Sequence, residues 1–117
     1  MHRVLQLANA HGVGLDFFGR LQDRFFAGEI NPFDHGVLTG VAVEAGVPLE
    51  RVRDVLAGDE FADAVRADRA AAAALGISGV PFAVFDQRYA APGAQPVGTY
   101  HRILDQAAAP ATAEDVR

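Results

Sequence analysis

The residues best suited to contact a ligand form a glycine–proline turn, Gly76-Ile77-Ser78-Gly79-Val80-Pro81. Gly76 stands where the C-terminus of a helix favours a left-handed residue, and Gly79 lets the backbone bend freely. Pro81 restricts Val80 to an extended conformation and removes one hydrogen-bond donor from the strand that it begins. The pattern therefore predicts a turn whose backbone contacts a ligand.

Side chains capable of catalysis are scarce elsewhere in the sequence. The chain contains no cysteine, so it offers no thiolate that could attack a disulfide. The histidines lack the short spacing typical of metal ligands, and we interpret them as surface or cap-adjacent residues: His2, His11, His35 and His101. Neither a phosphate-binding glycine loop nor a Ser/His/Asp triad is found. We therefore predict no catalytic residue, no metal and no cofactor for this chain.

Hydrophobic periodicity predicts five helical segments before the turn. They span roughly 2–11 and 15–27, a segment from a cap at Asp34 to Gly46, a segment from Pro48 to Gly58, and one capped by Asp59 that runs through Leu75.

After the turn, Phe82–Phe85 is too short for a helix and too apolar for a surface loop, which predicts a buried strand. Tyr89–Ala91 is predicted to return as its antiparallel partner, and Pro96 to begin a final helix. The predicted fold class is mainly α with a small antiparallel β-hairpin, an α+β arrangement.

Paired phenylalanines at helical spacing indicate core positions in the second helix. We assign four of them to the core, with an aromatic ligand pocket as the alternative: Phe17, Phe18, Phe25 and Phe26. In the last helix four residues are expected to point inward: Val97, Tyr100, Ile103 and Leu104.

Composition restricts the classes of function. The chain has 117 residues and a formal net charge of −5, which disfavours nucleic acid as a partner because binding it requires a basic face. No run of residues approaches the roughly 18 apolar positions that a membrane helix needs. The lack of cysteine and of a leader favours the cytoplasm. Met1 can be a genuine start, a secondary start or the first residue of a truncated chain.

Several segments together resemble the DsbA family, and specifically its FrnE-like branch. The resemblance rests on Gly76–Phe85, then Arg88-Tyr89-Ala90-Ala91 and Gly93-Ala94-Gln95-Pro96, and it continues upstream through Asp59–Arg66 to His2-Arg3-Val4-Leu5. It implies a helical insertion domain at 1–76, the C-terminal ββα half of a thioredoxin fold at 77–108, and a frayed tail at 109–117.

The same resemblance implies that the Val80–Pro81 peptide bond is cis and that both residues bind substrate. In this family the backbone before the proline pairs with an extended peptide beside a Cys-X-X-Cys motif. That motif belongs to an N-terminal half with no counterpart here, so the resemblance implies part of a thiol–disulfide oxidoreductase that is inactive in redox chemistry.

Two alternatives remain open at this point. One is a non-catalytic thioredoxin-like module for peptide binding or dimerisation. The other is a fragment of the related glutathione-transferase-kappa and isomerase group, which would use a serine in the missing half. Because the half that would cover it is missing, we expect Phe82–Phe85 to be an open, apolar strand edge, and we predict a homo-oligomer that covers it.

Overall fold

A computed structural model describes residues 1–110 of the chain. Within that range the elements are α1 (His2–Ala10), α2 (Gly14–Phe26), α3 (His35–Ala45), α4 (Leu49–Ala57), α5 (Ala62–Ala74), β1 (Phe82–Phe85), β2 (Tyr89–Pro92) and α6 (Val97–Ala108). The predicted fold class, mainly helical with one small antiparallel hairpin, is confirmed.

The chain divides into two compact units, the first comprising Met1–Ala70 and the second beginning at Ala71. The predicted boundary at 76/77 stays a prediction. Of the tail predicted at 109–117, residues 111–117 lie outside the described residues. Among residues 1–110, no helix combines the length and the apolar character required to cross a membrane.

The first unit is organised around one hydrophobic core. Helix α1 packs against α2, α3 and α4, and α3 also contacts α2 and α4. Residues spaced three and four apart on each helix supply the core, because that spacing places them on one helical face. The core residues are Val4, Leu7, Ala8, Phe17, Leu21, Leu38, Val41, Ala42, Ala45, Val47, Val52 and Val55.

The boundaries of α3 follow from the chemistry of its ends. Asp34 precedes the helix, and its carboxylate accepts a hydrogen bond from the Val37 N–H at 3.0 Å. At the other end Gly46 adopts a left-handed φ of 109°, as predicted for a residue that closes a helix. Val47 then donates a backbone hydrogen bond to Ala42 and lies in the core.

Helix α5 begins later than its sequence indicates. Asp59 was expected to cap it directly, but Phe61 adopts a left-handed φ of 67° and the helix starts at Ala62. The Ala62 N–H donates to the backbone oxygen of Asp59 at 3.0 Å. Phe61 packs against the core of the first unit, which accounts for the extra turn before the helix.

The second unit contains the hairpin and α6. Strands β1 and β2 pair antiparallel, with Phe82 opposite Pro92 and Phe85 opposite Tyr89. Asp86 and Gln87 both have left-handed φ values, 52° and 53°, and the Arg88 N–H donates to Phe85 at 3.1 Å, as in a type I′ turn.

Helix α6 packs against both strands, and the Tyr100 and Phe85 rings lie 6.3 Å apart. Two of its four expected inward residues are exposed instead, Val97 by 71% and Leu104 by 50%. Two short strands provide too little surface to cover the whole apolar stripe of a helix.

Candidate functional site

The glycine–proline turn begins at a regular helix end. Gly76 has a left-handed φ of 76°, its N–H donates to Ala73, and the Ile77 N–H donates to Ala72. This pair of hydrogen bonds is the Schellman pattern, which satisfies carbonyl groups left without partners at a helix C-terminus. The chain therefore leaves α5 in a fixed direction, and the described residues after Ile77 donate no backbone hydrogen bond to the helix.

The following residues leave their backbone without partners. Among residues 1–110, no hydrogen bond involves a backbone group of Ser78, Gly79 or Val80. The Val80–Pro81 bond is cis, and Val80 is 92% exposed. Exposed backbone donors and acceptors without partners within residues 1–110 are available for pairing with a second, extended chain.

Pro81 ties the turn to the far end of the hairpin. Its carbonyl oxygen accepts a hydrogen bond from the Gly93 N–H at 2.8 Å. Gly93 has a left-handed φ of 69°, which directs its N–H back toward the turn. This hydrogen bond holds the start of β1 beside the end of β2. The residues directly before Pro81 are therefore attached to a fixed part of the hairpin.

A cavity of about 290 Å³ opens at this turn. The residues that line it are small, apolar or hydroxylic, and all belong to the second unit: Gly76, Ser78, Gly79, Val80, Pro81, Phe82, Pro92 and Gly93. Because the lining includes no titratable side chain, the site can bind a chain by backbone pairing and apolar contact but supplies no general acid or base.

Strand β1 has one edge without a partner strand in the described part of the chain. The sheet contains β1 and β2 only, and Val84 is 38% exposed, whereas Phe82 and Phe85 are partly buried. The edge starts directly after Pro81, so the turn leads into the edge without an intervening element.

Titratable groups with shifted pKa values lie in the first unit. A hydrogen bond from the Arg24 guanidinium lowers the pKa of Glu44, and one from Arg51 lowers the pKa of Glu60. Both are exposed ion pairs between helices or loops. Among residues 1–110, no three His, Asp or Glu side chains converge as a metal site would require. These pairs are typical structural contacts of a helical surface.

A second cavity lies in the first unit, and Phe18, Phe25 and Phe26 of the alternative aromatic pocket line it, although Phe17 does not. Phe17 is buried as predicted, but Phe25 and Phe26 are 45% and 79% exposed, so assigning those two to the core was wrong. Phe17 and Leu21 mark the buried face of α2, and Phe26 lies about 180° around the helix from Phe17, whereas Phe25 lies about 80° from it, at the border of that face. The cavity has a volume of about 250 Å³ and is lined by Met1, Phe18, Leu21, Gln22, Phe25, Phe26, Pro32 and Phe33.

Comparison with known proteins gives one family. The model of the DSBA-like thioredoxin domain matches residues 1–105. No significant match was found among curated proteins or among solved structures.

Proposed function

Because the chain belongs to the DSBA-like thioredoxin domain family, we propose that its glycine–proline turn is the peptide-docking element of a FrnE-like thiol–disulfide oxidoreductase. Val80 and Pro81 bind the backbone of an extended protein substrate. The sequence has no cysteine, so this chain holds a substrate without exchanging disulfides itself. Addition of the purified chain should leave the rate of insulin reduction at the rate in buffer. Its cysteine-free composition favours the cytoplasm as its compartment.

One observation carries the proposal: three consecutive residues before β1, Ser78 to Val80, have no backbone hydrogen-bond partner within residues 1–110, and one edge of β1 has no partner strand there. Docking by strand addition uses such groups for affinity and the neighbouring cavity for side-chain selection. An extended peptide would pair first with Val80 and continue along β1.

The test is a titration of the isotope-labelled chain with an unfolded peptide, followed by amide resonances. A second peptide of the same sequence carries N-methyl groups on consecutive amides, so that neither of its two edges can donate to the ladder. We expect the unmodified peptide to shift the resonances of 78–85 and the methylated peptide to bind at least about tenfold more weakly, since each lost ladder bond contributes about 1 kcal/mol.

A matched pair of variants locates the site. Val80→Pro removes a free N–H from the turn, whereas Val97→Pro places proline at the first position of α6, where it is tolerated. Both valines are exposed. Weaker binding by Val80→Pro alone supports the proposal. Equal binding by Val80→Pro and the unsubstituted chain, or shifts confined to the first unit, would reject it.

The open edge of β1 favours a second candidate function, a non-catalytic dimerisation module. Here Phe82–Phe85 of two copies pair, and the homo-oligomer occupies the edge that a peptide would otherwise take. Val84→Lys would place a charge on this edge and separate the copies.

A titration of the isotope-labelled chain with glutathione tests the glutathione-transferase-kappa alternative, which requires glutathione itself to shift amide resonances at the turn.

A further inference from the structure

The aromatic cavity of the first unit lies in a surface of unusual apolar exposure. Phe25, Phe26 and Phe33 are 45%, 79% and 83% exposed, and all three line the cavity. Together these fractions amount to about two fully exposed phenylalanine side chains, or roughly 300–500 Å² of apolar area. That already equals the largest apolar patch of a typical monomer, before the other lining residues are included.

We propose that this phenylalanine surface, formed by Phe25, Phe26 and Phe33 around the cavity, binds a second copy of the same chain. The proposal uses the first unit alone and does not depend on peptide docking at the glycine–proline turn. A two-fold contact brings the same surface of both copies together, so the surface must contain a projection and a recess that fit each other.

Both parts are present on this one surface. The Phe33 ring projects from the segment between α2 and α3, and its backbone N–H donates to the Asn31 side chain at 3.0 Å, which fixes the loop. The recess has a volume of about 250 Å³. An apolar cavity of about 150 Å³ is large enough to bind benzene, so this recess can accept the phenyl ring of a partner's Phe33.

The three phenylalanines of both copies would supply roughly half of the area that a stable dimer buries. Burying the three phenylalanines of both copies would remove roughly 600–1,000 Å² from water, and stable interfaces bury about 1,200–2,000 Å² in total. The phenylalanines would thus form the central apolar part, and the contact must also bury surface beyond them, beginning with the flanking Met1, Gln22 and Pro32. Aromatic residues at the centre of an interface commonly provide most of its binding energy.

Sedimentation and a matched pair of charged variants test the assignment. We expect the chain to sediment at twice its 12.4 kDa mass at micromolar concentration, and Phe33→Asp to sediment as a monomer with an unchanged helical circular dichroism spectrum. Leu15→Asp is the control: Leu15 is 93% exposed on α2 and does not line the cavity, so this variant should remain a dimer.

The absence of tryptophan allows a direct readout of the surface. Phe33→Trp should show an emission maximum that moves to shorter wavelength as the protein concentration rises, whereas Leu15→Trp should keep the spectrum of a hydrated indole.

Three results would overturn the proposal. The first is an unsubstituted chain that stays monomeric at several hundred micromolar. The second is a dimer that survives Phe33→Asp but is lost with Val84→Lys, which would place the contact at β1. The third is a monomer whose Phe33→Trp emission shifts only when an apolar peptide is added, which would assign the surface to another partner.

Discussion

The Arg3 guanidinium in α1 donates a hydrogen bond to the backbone oxygen of Val55 in α4, with the two atoms 2.7 Å apart. The same nitrogen lies 2.6 Å from the backbone oxygen of Gly58. Carbonyl groups at the end of a helix lack partners within it and carry partial negative charge, so a cation is favourable there. A residue near the start of the chain thereby closes the end of a helix about fifty positions later.

Removal of this contact should destabilise the first unit. We expect Arg3→Met to lower the free energy of unfolding by about 1–2 kcal/mol, because a charged hydrogen bond is lost while the aliphatic stem is kept. Arg3→Lys should lose about half as much, since it keeps the charge but reaches fewer carbonyls. Urea unfolding followed by circular dichroism measures both. Equal stability of all three proteins would show that water replaces the guanidinium without cost.

Phe17 and Phe26 lie on the same helix but should respond very differently to truncation. Phe17 is fully buried, so Phe17→Ala should cost about 3–5 kcal/mol through lost burial and a residual cavity. Phe26 is 79% exposed, and in a monomer Phe26→Ala should change stability by less than about 0.5 kcal/mol. Unfolding midpoints measured at low protein concentration check this contrast, and similar losses for both variants would contradict it.

The helices and strands were predictable because their signals are local. Asp34 and Gly46 mark the two ends of α3 by chemistry that acts within a few residues, and Pro81 and Pro96 limit β1 and α6 in the same way. Phe25 and Phe26 were misassigned because adjacent phenylalanines were read as one wide apolar stripe, although Phe26 lies about 180° around the helix from Phe17. The glycine–proline pattern predicted a turn whose backbone is open to a ligand, and the cis bond before Pro81 was predictable only through the resemblance to a known family.

The backbone conformation of Gln87 in the hairpin turn is unfavourable for a residue with a side chain, and a glycine there should relieve it. Gln87 adopts a φ of 53°, a region that costs a side chain-bearing residue about 1–2 kcal/mol and glycine almost nothing. We expect Gln87→Gly to stabilise the second unit by about 0.5–1 kcal/mol after the larger chain entropy of glycine is subtracted. Thermal unfolding followed at Tyr89 resonances reports this change. The control Gln106→Gly, in a helix, should destabilise the same unit by up to about 1 kcal/mol.

Acid should weaken the first unit through Glu60. The hydrogen bond from Arg51 lowers the pKa of Glu60 in the folded state, so the unfolded chain binds this proton more readily. The contribution is present above the ordinary pKa of 4.5 and is lost as the pH falls through the lower folded value. The urea midpoint of Glu60→Gln should therefore vary less with pH between about 6 and about 3. High salt should reduce the difference between the two proteins, and parallel pH curves at low salt would refute this role.

The second unit should open more readily than the first, because buried residues are distributed unevenly between the two. The first unit contains a core of twelve buried residues, whereas Ala91 is the one buried residue in 71–110. Segments with few buried contacts open at lower free energy than the rest of a protein. Amide protons of β1 and β2 should exchange with deuterium well before those of α1 to α4. The hairpin can therefore open repeatedly while the helices of the first unit stay folded. A protease that cuts between Gly76 and Pro81 should then release a helical fragment that remains folded.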